Sequence, residues 1–127
     1  MKKTHKDLDL WKDSMDMVVE IYHITNNFPK EELYGLTSQI RRAAISIPAN
    51  ISEGSAKNYP AEFIRYLRIA QGSLSEFETL LHIASQLNYL DEITFKRIQG
   101  KLFKINAQLS GLIKSIASKL HNQNPTL

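Results

Sequence analysis

Residues 38–54 read SQIRRAAISIPANISEG, and the fold turns on the proline in that stretch. Leu36, Ile40, Ala43, Ile47 and Ile51 recur at spacings of three and four, the stripe of an amphipathic helix. Pro48 offers no backbone N–H, and its ring collides with the carbonyl four residues earlier. The helix therefore either bends at Pro48 or ends at Ile47 and restarts with Pro48 in a first turn. The apolar row continues to Ile51, which favours one bent helix, with Ser46 or Asn50 placed to satisfy freed backbone groups. Its span is Leu36 to Glu53, and Gly54 is expected to stop it.

Three further helical stripes surround this one. Upstream, Leu8, Trp11, Met15, Val18 and Tyr22 form a row, widened by Leu10, Met17, Ile21, Ile24 and Phe28. Downstream, Pro60 suits a first turn. Phe63, Leu67, Ala70, Leu74, Phe77, Leu81 and Ala84 then alternate by four and three, with Leu80, Ile83, Leu87 and Leu90 beside them. That second row is either a broad core-facing stripe or a surface buried against another subunit. After a turn at Asn88, Asp91 is placed to cap a last helix along Phe95, Ile98, Leu102, Ile105, Leu109, Leu112 and Ile116. Gly100 and Gly111 each cost that helix roughly 1 kcal/mol, less than its unbroken seam supplies. Short connections between such seams predict an all-α, antiparallel up-down-up-down four-helix bundle, kinked in its second helix at the proline. One domain is expected over 1–127, with frayed ends at about 1–6 and 121–127.

The composition narrows the function. There is no cysteine among 127 residues, which removes disulfides, thiolate metal sites and cysteine nucleophiles. No apolar run reaches the roughly 18 residues of a membrane span, and charges interrupt the N-terminus too early for a secretory signal. A cytoplasmic protein with no membrane partner is the expectation. A di-metal bundle site needs Glu-x-x-His on two helices and a glutamate from each of the others. Only Glu20-Ile-Tyr-His23 fits, on what the first row makes an outer face, and the body of the fourth helix holds no acid. Glu78 and His82 read as an exposed helical pair. Neither a phosphate loop nor a nucleophile elbow is present. No enzyme, no metal and no cofactor is expected.

Charge is unevenly distributed. Residues 1–32 carry a net −2, 33–60 carry +2, 61–92 carry −3, and 93–127 carry +6 with no acid. Lys96, Arg97, Lys101 and Lys104 form a basic strip on the fourth helix, the candidate contact for a nucleic-acid backbone. Its bland counterpart is a solvated face paired with the acids of neighbouring helices. Arg41, Arg42, Arg65 and Arg68 are read as interhelix or intersubunit ion-pairing groups. The expected function is that of a non-enzymatic, self-assembling bundle that binds structured RNA or a ribonucleoprotein through this strip, with a protein–protein adaptor as the alternative. Lysines facing solvent favour RNA or a ribonucleoprotein; lysines neutralised by Asp13, Asp16 or Glu20 favour a protein–protein adaptor.

The blocks YGLTSQIRRAAISIPANISEG and EFIRYLRIAQGSLSEFETLLHIASQLNYL resemble the 23S ribosomal RNA intervening-sequence protein family, over roughly residues 8–118. Arg41, Arg42, Pro48, Asn50, Glu53 and Gly54 match its first block; Gly72, Ser73, Leu74, Glu76 and Glu78 match its second. The resemblance implies an antiparallel bundle assembling as a homopentamer, with no established enzymatic activity. A related branch accompanies reverse transcriptases and is thought to bind nucleic acid and the polymerase. Arg41, Arg42, Pro48, Asn50, Glu53, Arg65 and Arg68 are expected to have structural or subunit-interface roles. One departure is that relatives carry several basic residues after the Glu-Gly pair, whereas SAKNYPAEF supplies only Lys57.

Overall fold

The computed structural model describes residues 4–123. Its regular structure is four α-helices: α1, Asp9–Thr25; α2, Leu36–Ala56; α3, Pro60–Gln86; and α4, Glu92–Gln123. Single 3-10 turns occupy His5–Asp7 and Lys30–Glu32. At ~1.5 Å per residue, α3 and α4 are about 40 and 48 Å long. Part of the expected fraying falls outside the described residues. Inside them, His5–Asp7 is a regular turn and α4 stays helical through Gln123.

The helix ends follow from local chemistry. Pro60 opens α3 after an extended Tyr59, whose carbonyl accepts the Phe63 N–H at 2.9 Å. α3 closes through Asn88 in the left-handed region (φ 63°), with the Tyr89 N–H reaching back to the Ala84 carbonyl. Asp91 caps α4, its Oδ1 accepting the Thr94 N–H at 2.7 Å as expected. That hydrogen bond holds the Asp91 carboxyl below its ordinary range.

One continuous core joins all four helices. Ile40, Ala44, Ile47 and Ile51 of α2, Leu67, Ala70, Phe77 and Leu81 of α3, and Ile98, Leu102, Ile105 and Leu109 of α4 are fully or almost fully buried. On α1 the expected order of rows is reversed. Leu10, Met17 and Ile21 fill the core, while Met15 and Tyr22 are 40% and 39% exposed. The buried polar groups on that face, Ser14 and Thr25, bond back to the Trp11 and Ile21 carbonyls, so the row tolerates them. On α3, Leu80 is buried, as is Leu90 just beyond the helix, but Ile83 and Leu87 face solvent. The second row is therefore only half core.

α2 runs unbroken through Pro48, whose ring is buried, so the helix does not end at Ile47. The Asn50 side-chain amide donates to the Ser46 carbonyl (2.8 Å) and hydroxyl oxygen (2.9 Å), and the Ser46 hydroxyl meets that of Ser73 on α3 at 2.7 Å. Gly54 does not stop the helix, which continues to Ala56. It is buried where α3 comes close: an added Cβ would stand 2.6 Å from the Tyr66 Cβ and 3.1 Å from the Phe63 Cδ1. Ser46 meets Ser73 while Gly54 meets Phe63; Gln71 meets Ser110 while His82 meets Phe95.

Candidate nucleic-acid interface

The basic strip of α4 is brought together along one flank, and every member has an acid. Glu20 of α1 stands between two cations: Arg97 Nε donates to its Oε1 at 2.8 Å, and the Lys101 ammonium donates to its Oε2. Lys104 Nζ lies 3.3 Å from Asp13 Oδ2, which also accepts from the Gln108 amide at 3.0 Å. Lys96 pairs within its own helix, 3.1 Å from Glu92. The two α1 carboxylates sit one heptad apart, as do Arg97 and Lys104, so the flanks of α1 and α4 match in register.

Glu20 is the most enclosed member, with its side chain 20% exposed. Burial pushes its carboxyl up, but hydrogen bonds from Lys101 and Arg97 and their charges outweigh that and hold it below its ordinary 4.5. The expectation that Glu20 lies on an outer face is corrected here. Once Met17 and Ile21 are the core row, Glu20 falls on the α1 flank beside α4. The heptad spacing of Asp13 and Glu20 is the signal in the sequence that identifies both.

Uncompensated positive charge lies elsewhere. Lys114 and Lys119, further along α4, are exposed and have no acidic partner among the described residues. The same holds for Arg42 and Arg68. Arg65 pairs with Glu62 on the same helix at 3.0 Å, correcting an interhelix role, and its guanidinium lies over the Tyr66 ring. The Glu62 carboxyl is held low chiefly by that hydrogen bond. Arg41 does cross between helices, but to neutral groups. Its Nε donates to Thr25 Oγ1 at 2.8 Å, its Nη2 donates to Asn26 Oδ1 at 3.2 Å, and it stacks on Tyr22. Glu53 is exposed with no cation beside it among the described residues.

Two further sites escaped the sequence reading. Glu32 ties the two connections at one end of the bundle: its Oε2 accepts from the Tyr89 hydroxyl at 3.0 Å, its Oε1 from the Leu36 N–H at 3.3 Å. Hydrogen bonding to Glu32 pushes the Tyr89 hydroxyl above its ordinary value. The other is an exposed apolar face on α1 and α2. Met15, Val19 and Tyr22 follow one face of α1, and a depression of about 200 Å³ is lined by Trp11, Met15, Ile45, Pro48, Ala49 and Ser52. No three His, Asp or Glu side chains converge to hold a metal among the described residues, and none of the helices there is long and apolar enough to cross a membrane.

Comparison with known proteins matches residues 6–111 to the family model for the 23S rRNA-intervening sequence protein. The fold is also that of a crystal structure of a protein of unknown function from the S23 ribosomal protein family of Bacteroides thetaiotaomicron. The two share 27% identity and a TM-score of 0.77, over 83% of this chain and 95% of that one. A comparison with curated proteins finds no match.

Proposed function

The chain belongs to the 23S rRNA-intervening sequence protein family, and we propose that it serves as a non-enzymatic, self-assembling adaptor that works through protein–protein contacts. The observation that carries this reading is the neutralised strip. Arg97, Lys101 and Lys104 are spent on Glu20 and Asp13, so they fasten α4 to α1 and are not free to release counterions from a phosphate backbone.

The exposed apolar face supplies the working surface. Isolated apolar side chains on a surface need no explanation, but a row on one helix face beside an apolar depression does. Met15, Val19 and Ile45 stand there with Trp11 at their edge, and a second copy of the chain is the occupant of this reading. In this reading the assembly is a cytoplasmic homopentamer, the pentamer being what the family resemblance implies. Opposed residue numbering between neighbouring helices supports the antiparallel, up-down-up-down arrangement, and the Asn50 side-chain bonds beside Pro48 support a bend in α2.

The test compares wild type with a variant in which Arg97, Lys101 and Lys104 all become Glu. Fluorescence anisotropy with a structured RNA, at low and high salt, is expected to show no binding that the charge reversal abolishes. Tight, salt-sensitive binding by wild type that disappears in a still-folded variant would restore the RNA reading. Light scattering is expected to give a mass above that of a dimer for wild type. It should fall towards the monomer for Val19→Asp combined with Ile45→Asp, with helix content unchanged by circular dichroism.

A further inference from the structure

We propose that copies of the chain meet α2 against α3. The outer strip of α2 in one copy packs antiparallel on the outer strip of α3 in the next, with Arg42 against Glu76 of that copy and Glu53 against its Arg68. This rests on the self-assembly reading and says which two surfaces meet, and in what register.

Two exposed strips carry charge in complementary order. On α2, Arg42, Ile45, Ala49 and Glu53 follow one outward face at spacings of three and four. On α3, Arg68, Gly72 and Glu76 do the same at spacings of four. Both strips begin with an arginine and end with a glutamate, and none of the four charges has an opposite partner among the described residues. Laid parallel, the strips would set like charge on like; laid antiparallel, an arginine faces a glutamate at each end of the contact. The charges lie eleven residues apart on α2 and eight apart on α3, or ~16 and ~12 Å. Two long arginine side chains share that difference, and each guanidinium can donate two hydrogen bonds to a carboxylate.

The apolar groups between the charges match as well. With the charges paired, Ile69 of α3, 41% exposed, falls level with Ala49 and Ser52, which line the depression of about 200 Å³ on α1 and α2. Gly72 falls level with Pro48. An added Cβ on Gly72 meets nothing within 4 Å in the single chain, so nothing of its own copy keeps the α3 backbone from coming close to the next. A two-fold contact through this face would set depression against depression and leave both unfilled, whereas joining two different faces fills one with the other. Because α2 and α3 are neighbouring helices of the bundle, successive copies turn, and a head-to-tail contact that turns can close a ring.

The experiment follows the mass of the full chain by sedimentation over a dilution series at low salt, with helix content checked by circular dichroism. Arg42→Glu and Glu76→Arg, both at exposed positions, should each weaken association about a hundredfold by setting like charges together. Combined in one chain, they should recover it to within about tenfold of wild type. Mixing the two single variants should also recover mass, which a pair formed inside one chain cannot do. Single variants that keep the wild-type mass throughout, or a combination no better than either alone, overturn the proposal. So does rescue of Arg42→Glu by Glu53→Arg in place of Glu76→Arg, which would assign the face to α2 pairing with itself about a two-fold axis. A wild type that stays monomeric at every concentration removes self-assembly altogether; one that assembles regardless of the swaps removes only this register.

Discussion

Gly54 shows how much one missing methyl group decides. The Cβ of Gly54→Ala would press on the Phe63 ring and on the Tyr66 Cβ, and the latter is fixed to the backbone and cannot swing aside as the tip of a long side chain would. Overpacking of this kind costs typically about 1–3 kcal/mol, read as a lower urea midpoint. Gly111 provides the contrast: its added Cβ meets nothing within 4 Å, so Gly111→Ala should stabilise by about 0.5–1 kcal/mol. Glu20 adds a pH dependence. Its folded-state acidity is raised, so its contribution is complete above the ordinary carboxylate pKa and is lost as pH falls through the depressed folded value. Unfolding midpoints of wild type and Glu20→Gln should differ most at neutral pH and converge in acid, wild type being the more stable. Neither role follows from residue type. A Gly near a helix end reads as a stop, and whether Glu20 faces water depends on which of two adjacent apolar rows is the inner one.

At the scale of the helix, caps and breakers were legible because their chemistry is local. Pro60 in a first turn, Asp91 as a cap and the turn at Asn88 all stand where backbone geometry demands them. Which of Asp13, Asp16 and Glu20 would meet α4 was not legible, since periodicity gives the phase of a stripe only to within one neighbouring row. α1 carries two apolar rows of similar quality, and contact with α2 and α4 selects the one containing Met17 and Ile21. That choice turns Asp13 and Glu20 towards α4 and consumes its cations. The basic strip was thus a correct reading of where charge accumulates, and of its two weighed surroundings the paired one is what the contacts with Glu20 and Asp13 favour. Within α2, the Asn50–Ser46–Ser73 chain gives a further prediction. Asn50→Ala should cost about 1 kcal/mol, because the amide then leaves the Ser46 carbonyl and hydroxyl without its bonds. Chemical denaturation with the helix signal as readout checks it.

For the whole molecule, the four helices are not equally bound to each other. α2 and α3 share the most extensive interface, drawn in at Gly54, while α1 and α4 meet over a smaller one whose flank carries the Glu20 and Asp13 ion pairs. Charge pairs at this seam weaken with salt, and apolar contacts do not. Raising salt towards molar concentration should therefore loosen α1 first. Amide hydrogen exchange within Asp9–Thr25 should accelerate while that of α3 stays constant. The chain also contains a single tryptophan, and it borders the apolar depression on α1 and α2. The molecule thus carries its own dye where neighbours are proposed to meet. Association would move the indole emission to shorter wavelengths, dilution would move it back, and no label need be attached to watch either.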